Sequence, residues 1–146
     1  IVDSNQKMLT VGEIIEEAMH NTGVTRPMKE AIQMLRLELS QPQIWKCREG
    51  NTLFIVHKTA HKGFGYVRAL NADTPQNYVQ NILKVQQAAY KVGFDFLVTQ
   101  FDDPKLLTIF KIVAKFAPKD SGFKVQRTNS GGYQLTIQVG KPRGVE

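Results

Sequence analysis

Two short segments, Asp73-Thr74-Pro75 and Asp102-Asp103-Pro104, limit most strongly how this chain folds. Each puts side-chain oxygens that accept from a helix's first N–H groups just ahead of a proline. Proline's missing N–H is no loss in a first turn. Each segment also follows a run with strand character, Phe64 to Leu70 and Phe94 to Phe101. A strand, a helix to about Val92 and a second strand make a crossover long enough for parallel pairing. The Phe-Leu-Val run in the second strand predicts a central strand buried on both faces. The helix after Asp103 is expected to end at Pro118, with Leu106, Leu107, Phe110, Val113, Ala114 and Phe116 as its apolar positions.

The flanking segments complete the pattern. Thr10-Val11-Gly12-Glu13 has the hydroxyl and carboxylate spacing of a capping box, followed by apolar Ile14, Ile15, Ala18 and Met19 up to Gly23. A second helix is expected from near Thr25, with Pro27 in its first turn, to Pro42. The period then changes to that of strands at Ile44 to Cys47, Leu53 to Lys58 and Phe64 to Leu70. Their short glycine-containing links favour an antiparallel meander. Phe123 to Thr128 and Tyr133 to Val139 read as a closing hairpin, and Lys141 to Glu146 as a frayed tail. The expected architecture is one α+β domain over residues 1–146. Its sheet is mixed, mostly antiparallel and flanked by helices, in the order ααβββαβαββ.

Composition excludes several classes. With 146 residues, 42% hydrophobic and 22% charged, the chain has enough apolar content for one core. No apolar run approaches the roughly 20 residues of a membrane span. The N-terminus lacks the parts of a signal peptide. A chain that begins at Ile1 is expected to lack an N-terminal residue or more. Cys47, the single cysteine, fits a reducing, cytoplasmic compartment and rules out an internal disulfide. The net charge of +6 is uneven: residues 1–42 sum to −2, and the remainder to +8. That asymmetry points to an anionic partner or to a solvated basic surface.

The order of elements resembles the GNAT acyltransferase fold. Asp102, Phe110 and Gly122-Phe123 are similar to that family's polar residue, aromatic and Gly-Phe in the second half. The likeness places the family's first strand near Ile1 to Asp3 or before it. The charged middle helix, the aromatic strand after it and the ending Gly132-Tyr133-Gln134-Leu135 also resemble the GNAT-like internal virion protein of short-tailed bacteriophages. That likeness implies a virion or host-cytoplasm setting.

The GNAT resemblance implies a coenzyme A pyrophosphate at the start of the helix after Asp73, where the family reads Gln/Arg-x-x-Gly-x-Gly/Ala. This chain has Asn71-Ala72-Asp73-Thr74-Pro75-Gln76-Asn77-Tyr78, without a glycine and with an acid and a proline. Each departure weakens an anion site built from backbone N–H groups. The resemblance also implies a glutamate base on the strand before this loop and a tyrosine acid on the later helix. Strand Phe64 to Leu70 has no carboxylate, and the helix has Phe110 and Phe116 instead of tyrosine. Tyr66 is the one candidate acid, with half-buried packing as its simpler role.

Other chemistry-bearing residues have plain explanations. His57 and His61 lack metal spacing and a third ligand, so no metal site is expected. Cys47 has no base partner, and Asp102 and Asp103 suit capping. Lys105, Lys111, Lys115, Lys119, Lys124 and Arg127 form the densest basic stretch, with Lys111 and Lys115 on one helical face.

Three readings stand open. The first is a degenerate GNAT-like domain with no cofactor and a structural or protein-binding role in a larger assembly. In the second, an N-acetyltransferase uses acetyl-coenzyme A, held by Arg68, Ala69, Leu70, Gln76, Asn77, Tyr78 and Lys105. The third is a nucleic-acid-binding module using Lys111, Lys115, Lys119, Lys124 and Arg127.

Overall fold

In a computed structural model of the chain, the described residues are 8–21, 28–117 and 122–139. Their elements run α1 (Val11–Asn21), α2 (Met28–Leu39), β1 (Ile44–Glu49), β2 (Thr52–Lys58), β3 (Phe64–Asn71) and α3 (Pro75–Lys91), then β4 (Phe96–Phe101), α4 (Pro104–Phe116), β5 (Phe123–Arg127) and β6 (Tyr133–Gln138). The start of the second helix, the strand near Ile1 to Asp3, Lys119 and the tail 141–146 lie outside the described residues.

The six strands form one sheet in the order β1-β2-β3-β4-β6-β5. Only β3 and β4 pair in parallel, joined by α3 as the crossover. The remaining pairs are antiparallel. This is the mixed α+β sheet the sequence predicts, with a GNAT-like order of elements.

Two cores lie on opposite faces of the sheet. Side chains alternate along β2, sending Leu53 and Ile55 to a cluster with Ile14, Ile15 and Leu35 of α1 and α2. Phe54 and Val56 go the other way, to a cluster with Val79, Ile82 and Val85 of α3 and with Phe110 and Val113 of α4. Covered on both faces, β2 is buried from Thr52 to Val56. The capping box of α1 forms reciprocally, Glu13 N–H to Thr10 Oγ1 at 3.1 Å and Thr10 N–H to Glu13 Oε1 at 3.0 Å. At Gly65 on β3 a side chain has no room, because an added Cβ would sit 2.5 Å from Val56 Cγ1 and 2.8 Å from the Phe94 ring. The ring of Phe94 thereby reaches the sheet and packs on Trp45, with centroids 5.6 Å apart.

Two expectations need correction. Strand β4 starts at Phe96 rather than Phe94, and among its residues only Leu97 is buried. It is central in the sheet, but among the described residues α1 and α2 cover β1, β2 and the later part of β3, and leave Phe64, Tyr66 and the β4-β6-β5 half of their face uncovered. Phe116, expected in the core, is 66% exposed. On α4, Leu106, Phe110 and Val113 point inward, while Phe116 stands beside Ile109 and Ile112 at a shallow groove against the start of α3.

Candidate functional site: a split between parallel strands

The parallel pairing of β3 and β4 lasts three residues, from Phe64↔Phe96 to Tyr66↔Val98, and then the strands part. Backbone direction follows from the ladders on either side. Ala72 N–H donates to Asn51 O and Thr59 N–H to Phe64 O. Alternation therefore turns the backbone groups of Tyr66, Arg68 and Leu70 toward β2, and those of Val67 and Ala69 toward β4. Val139 N–H donates to Asp95 O, so Gln100 turns its backbone groups toward β3. Beyond Tyr66 and Val98, the N–H and C=O of Ala69 and Gln100 face one another across the opening without a strand partner among the described residues.

A cavity of about 200 Å³ occupies this opening, walled by Phe54, Val67, Tyr78, Ile82, Leu97 and Phe110. The wall is mostly apolar, with free amide groups at the rim. Such a shape suits an extended ligand that adds to a strand edge and buries an apolar part. The Tyr78 side chain, considered in sequence only for its N–H, is 6% exposed here. Burial pushes its hydroxyl up to about 12, so the phenol stays protonated across the neutral range.

The start of α3 is satisfied by the chain itself. Thr74 caps it, its Oγ1 accepting from Asn77 N–H at 3.3 Å and its C=O from Tyr78 N–H at 2.9 Å. Of the three expected backbone donors, Asn77 and Tyr78 are thus engaged, and Gln76 remains, exposed in the first turn. Leu70, another expected contact, directs its backbone groups to β2. Asp73 turns toward the β1–β2 turn, where Oδ2 accepts from Asn51 N–H at 2.8 Å and from the Asn81 amide. Its Oδ1 is buried without a partner. Asn81 also donates to Thr52 Oγ1 at 2.9 Å, which ties α3 to the start of β2. Asp73 thus fixes a carboxylate near the start of α3 but directs it to Asn51 and Asn81 rather than to the first-turn N–H groups.

Arg68 lies at the cavity's rim, but its guanidinium is 2.8 Å from Glu38 Oε1. His57 Nε2 meets the same oxygen at 3.3 Å. This Glu38–His57–Arg68 cluster escapes sequence inspection because α2 supplies the carboxylate, 19 and 30 residues from its partners. The one advance signal is the β2–β3 register, which puts His57 beside Tyr66. Tyr66 is 41% exposed and makes no hydrogen bond among the described residues. Lys105 is exposed in the first turn of α4, with its N–H on Asp103 Oδ1 at 2.9 Å.

The basic stretch is divided rather than gathered. Lys111 and Lys115 are exposed on α4. Lys124 shares a row with Thr136 on the opposite, open face of the sheet. Arg127 lies with its guanidinium 5.7 Å from the Tyr133 ring centroid. Burial and then the charge of Glu49 push the Cys47 thiol up to about 11, which leaves it un-ionised at neutral pH. Among the described residues no group of three metal-ligating side chains comes together. No described helix is long and apolar enough to cross a membrane.

The sequence matches no family model, and no curated protein matches it. The structure is similar to that of the ribosomal-protein-S18-alanine N-acetyltransferase from Escherichia coli, with a TM-score of 0.50 and 8% identity over 96% of each chain. At that identity the likeness shows a shared fold, and activity has to be argued from the site. The chain has the GNAT-like fold; its parallel strands part after three paired residues, and Asp73 and Thr74 make hydrogen bonds at the start of the helix that joins them.

Proposed function

We propose that this is a GNAT-like domain whose role is binding within a larger assembly, without ordinary acetyl-coenzyme A-dependent transfer. The start of α3 carries the reading. Asp73 places a carboxylate nearby, the Thr74 side chain engages one first-turn N–H group, and Pro75 removes another. We place the protein in the cytoplasm. The bacteriophage association, in a virion or directed at a host, rests on the sequence likeness alone; neighbouring genes test it.

Calorimetry and thermal shift with acetyl-coenzyme A at millimolar concentration test the reading. We expect no saturable heat and no shift. Saturable binding, together with acetyl transfer to a ribosomal protein S18 peptide or another amine, overturns it.

A second reading as an N-acyltransferase is favoured by one observation, the open cavity between β3 and β4 with the unpartnered backbone groups of Ala69 and Gln100. There the extended, amide-bearing arm of an acyl-coenzyme A would lie along β3, with Gln76 and Lys105 toward the phosphates and Tyr66 as acid. The same titration decides between the two.

A further inference from the structure

Among the described residues, half of one sheet face is left without a covering helix. Register places Tyr66, Val98, Thr136 and Lys124 in one row across β3, β4, β6 and β5. At the strand spacing of roughly 4.8 Å that row spans about 14 Å. On one side of it Phe64 stacks on Phe96, centroids 4.8 Å apart and planes inclined by 19°. On the other side Gln100 faces Gln134 at 3.4 Å, with Gln126 beyond. Phe64 is 37% exposed and Tyr66 41%, two residues apart on the same strand face. That repeat is about 7 Å.

We propose that this open face binds single-stranded nucleic acid, with bases stacked on Phe64 and Tyr66 and the backbone led toward Lys124. Exposed rings on a sheet offer a base its π-face without regard to sequence. The amides and the Thr136 hydroxyl offer donors and acceptors to base edges. Charge agrees. No side chain on the open face of these four strands is a carboxylate. At one margin Glu38 is held by Arg68 and His57, and Asp102 stands past the end of β4. The chain carries +6 overall. An acidic peptide would use Lys124 but has no need of exposed rings. The sequence concealed this surface, because the rings lie on strands and the lysines that draw attention lie on α4, across the sheet. The proposal goes beyond the binding role above and is tested without acetyl-coenzyme A, so either can fail alone.

Fluorescence anisotropy with a labelled oligothymidylate or oligouridylate of about ten nucleotides tests it, between about 50 and 200 mM salt. We expect saturable binding that weakens with salt. Phe64→Ala with Tyr66→Ala should weaken it by on the order of tenfold or more. Lys124→Gln should weaken it and flatten the salt dependence by about one phosphate contact. Lys111→Gln with Lys115→Gln should change neither. As a control for folding, Tyr66→Leu should lose affinity and Tyr66→Phe keep it, with thermal melts unchanged. The proposal is overturned by no saturable binding at the lower salt, or by unchanged affinity in the ring variants. It is equally overturned by loss that follows Lys111 and Lys115, or by displacement of the oligonucleotide by a glutamate-rich peptide at lower concentration.

Discussion

The starts of α3 and α4 are nearly the same in sequence and differ in what they hold. Both read as two capping residues and a proline. At α4 the acid next to proline is the cap: Asp103 Oδ1 accepts from Lys105 N–H, and the bond is exposed and local. At α3 a threonine takes that position, and the acid one residue earlier is free to reach away from the helix. It reaches Asn51, 22 residues back, and Asn81 on the far side of the first turn. A shift of one position thus separates a local cap from a tertiary clasp. The clasp also ties the start of α3 to the β1–β2 turn, which the α4 cap does not do for its own helix.

Substitution of Asp73 should break the comparison most. Asp73→Ala removes the acceptor of both Asn51 N–H and the Asn81 amide in a largely buried setting. We expect a loss of about 3 kcal/mol in urea unfolding. A loss under about 1 kcal/mol would show that the clasp is incidental. Gly50 comes next. Its φ of +55° suits glycine, and an added Cβ would lie 2.8 Å from Asp73 Oδ2. Gly50→Ala should cost about 2 kcal/mol, and only somewhat less in an Asp73→Ala background, because Asn81 Oδ1 at 2.9 Å and the positive φ still oppose the added Cβ. Thr74→Ala and Asp103→Ala should each cost about 1 kcal/mol, because both remove a single cap bond. Equal losses at these two sites, beside an unequal pair at Asp73 and Asp102, would sharpen the distinction between cap and clasp.

Local signals carried most of the fold. The proline caps, the capping box at Thr10 and the alternation of Phe64, Tyr66 and Arg68 each depend on neighbours within a few residues, so they were visible in the chain. The site was less legible. The opening at Ala69 and Gln100 arises where a pairing stops, and strand character continues past that point on both sides. Burial of β4 was overestimated, because an apolar run does not say whether a helix covers its second face. Phe116 was misassigned because its helical face is set by how α4 lies on α3. The composition of the Asp73 loop is visible in the chain, but the residues that Asp73 holds are too distant in sequence to be inferred.

The smallest expected effect is at Asp102, the residue that corresponds in position to Asp73. Asp102 is exposed and makes no hydrogen bond among the described residues. Its remaining contribution is the attraction of a carboxylate to a helix N-terminus, a few tenths of a kcal/mol that salt screens. Asp102→Ala should therefore change stability by less than about 0.5 kcal/mol, and the difference should shrink as salt is added. Unfolding curves for Asp102→Ala and Asp73→Ala, each at low and high salt, make the check. A clasp of buried hydrogen bonds keeps its effect in salt, whereas a surface charge loses it. If Asp102→Ala proves as damaging as Asp73→Ala, the two helix starts are alike after all, and the distinction between cap and clasp falls.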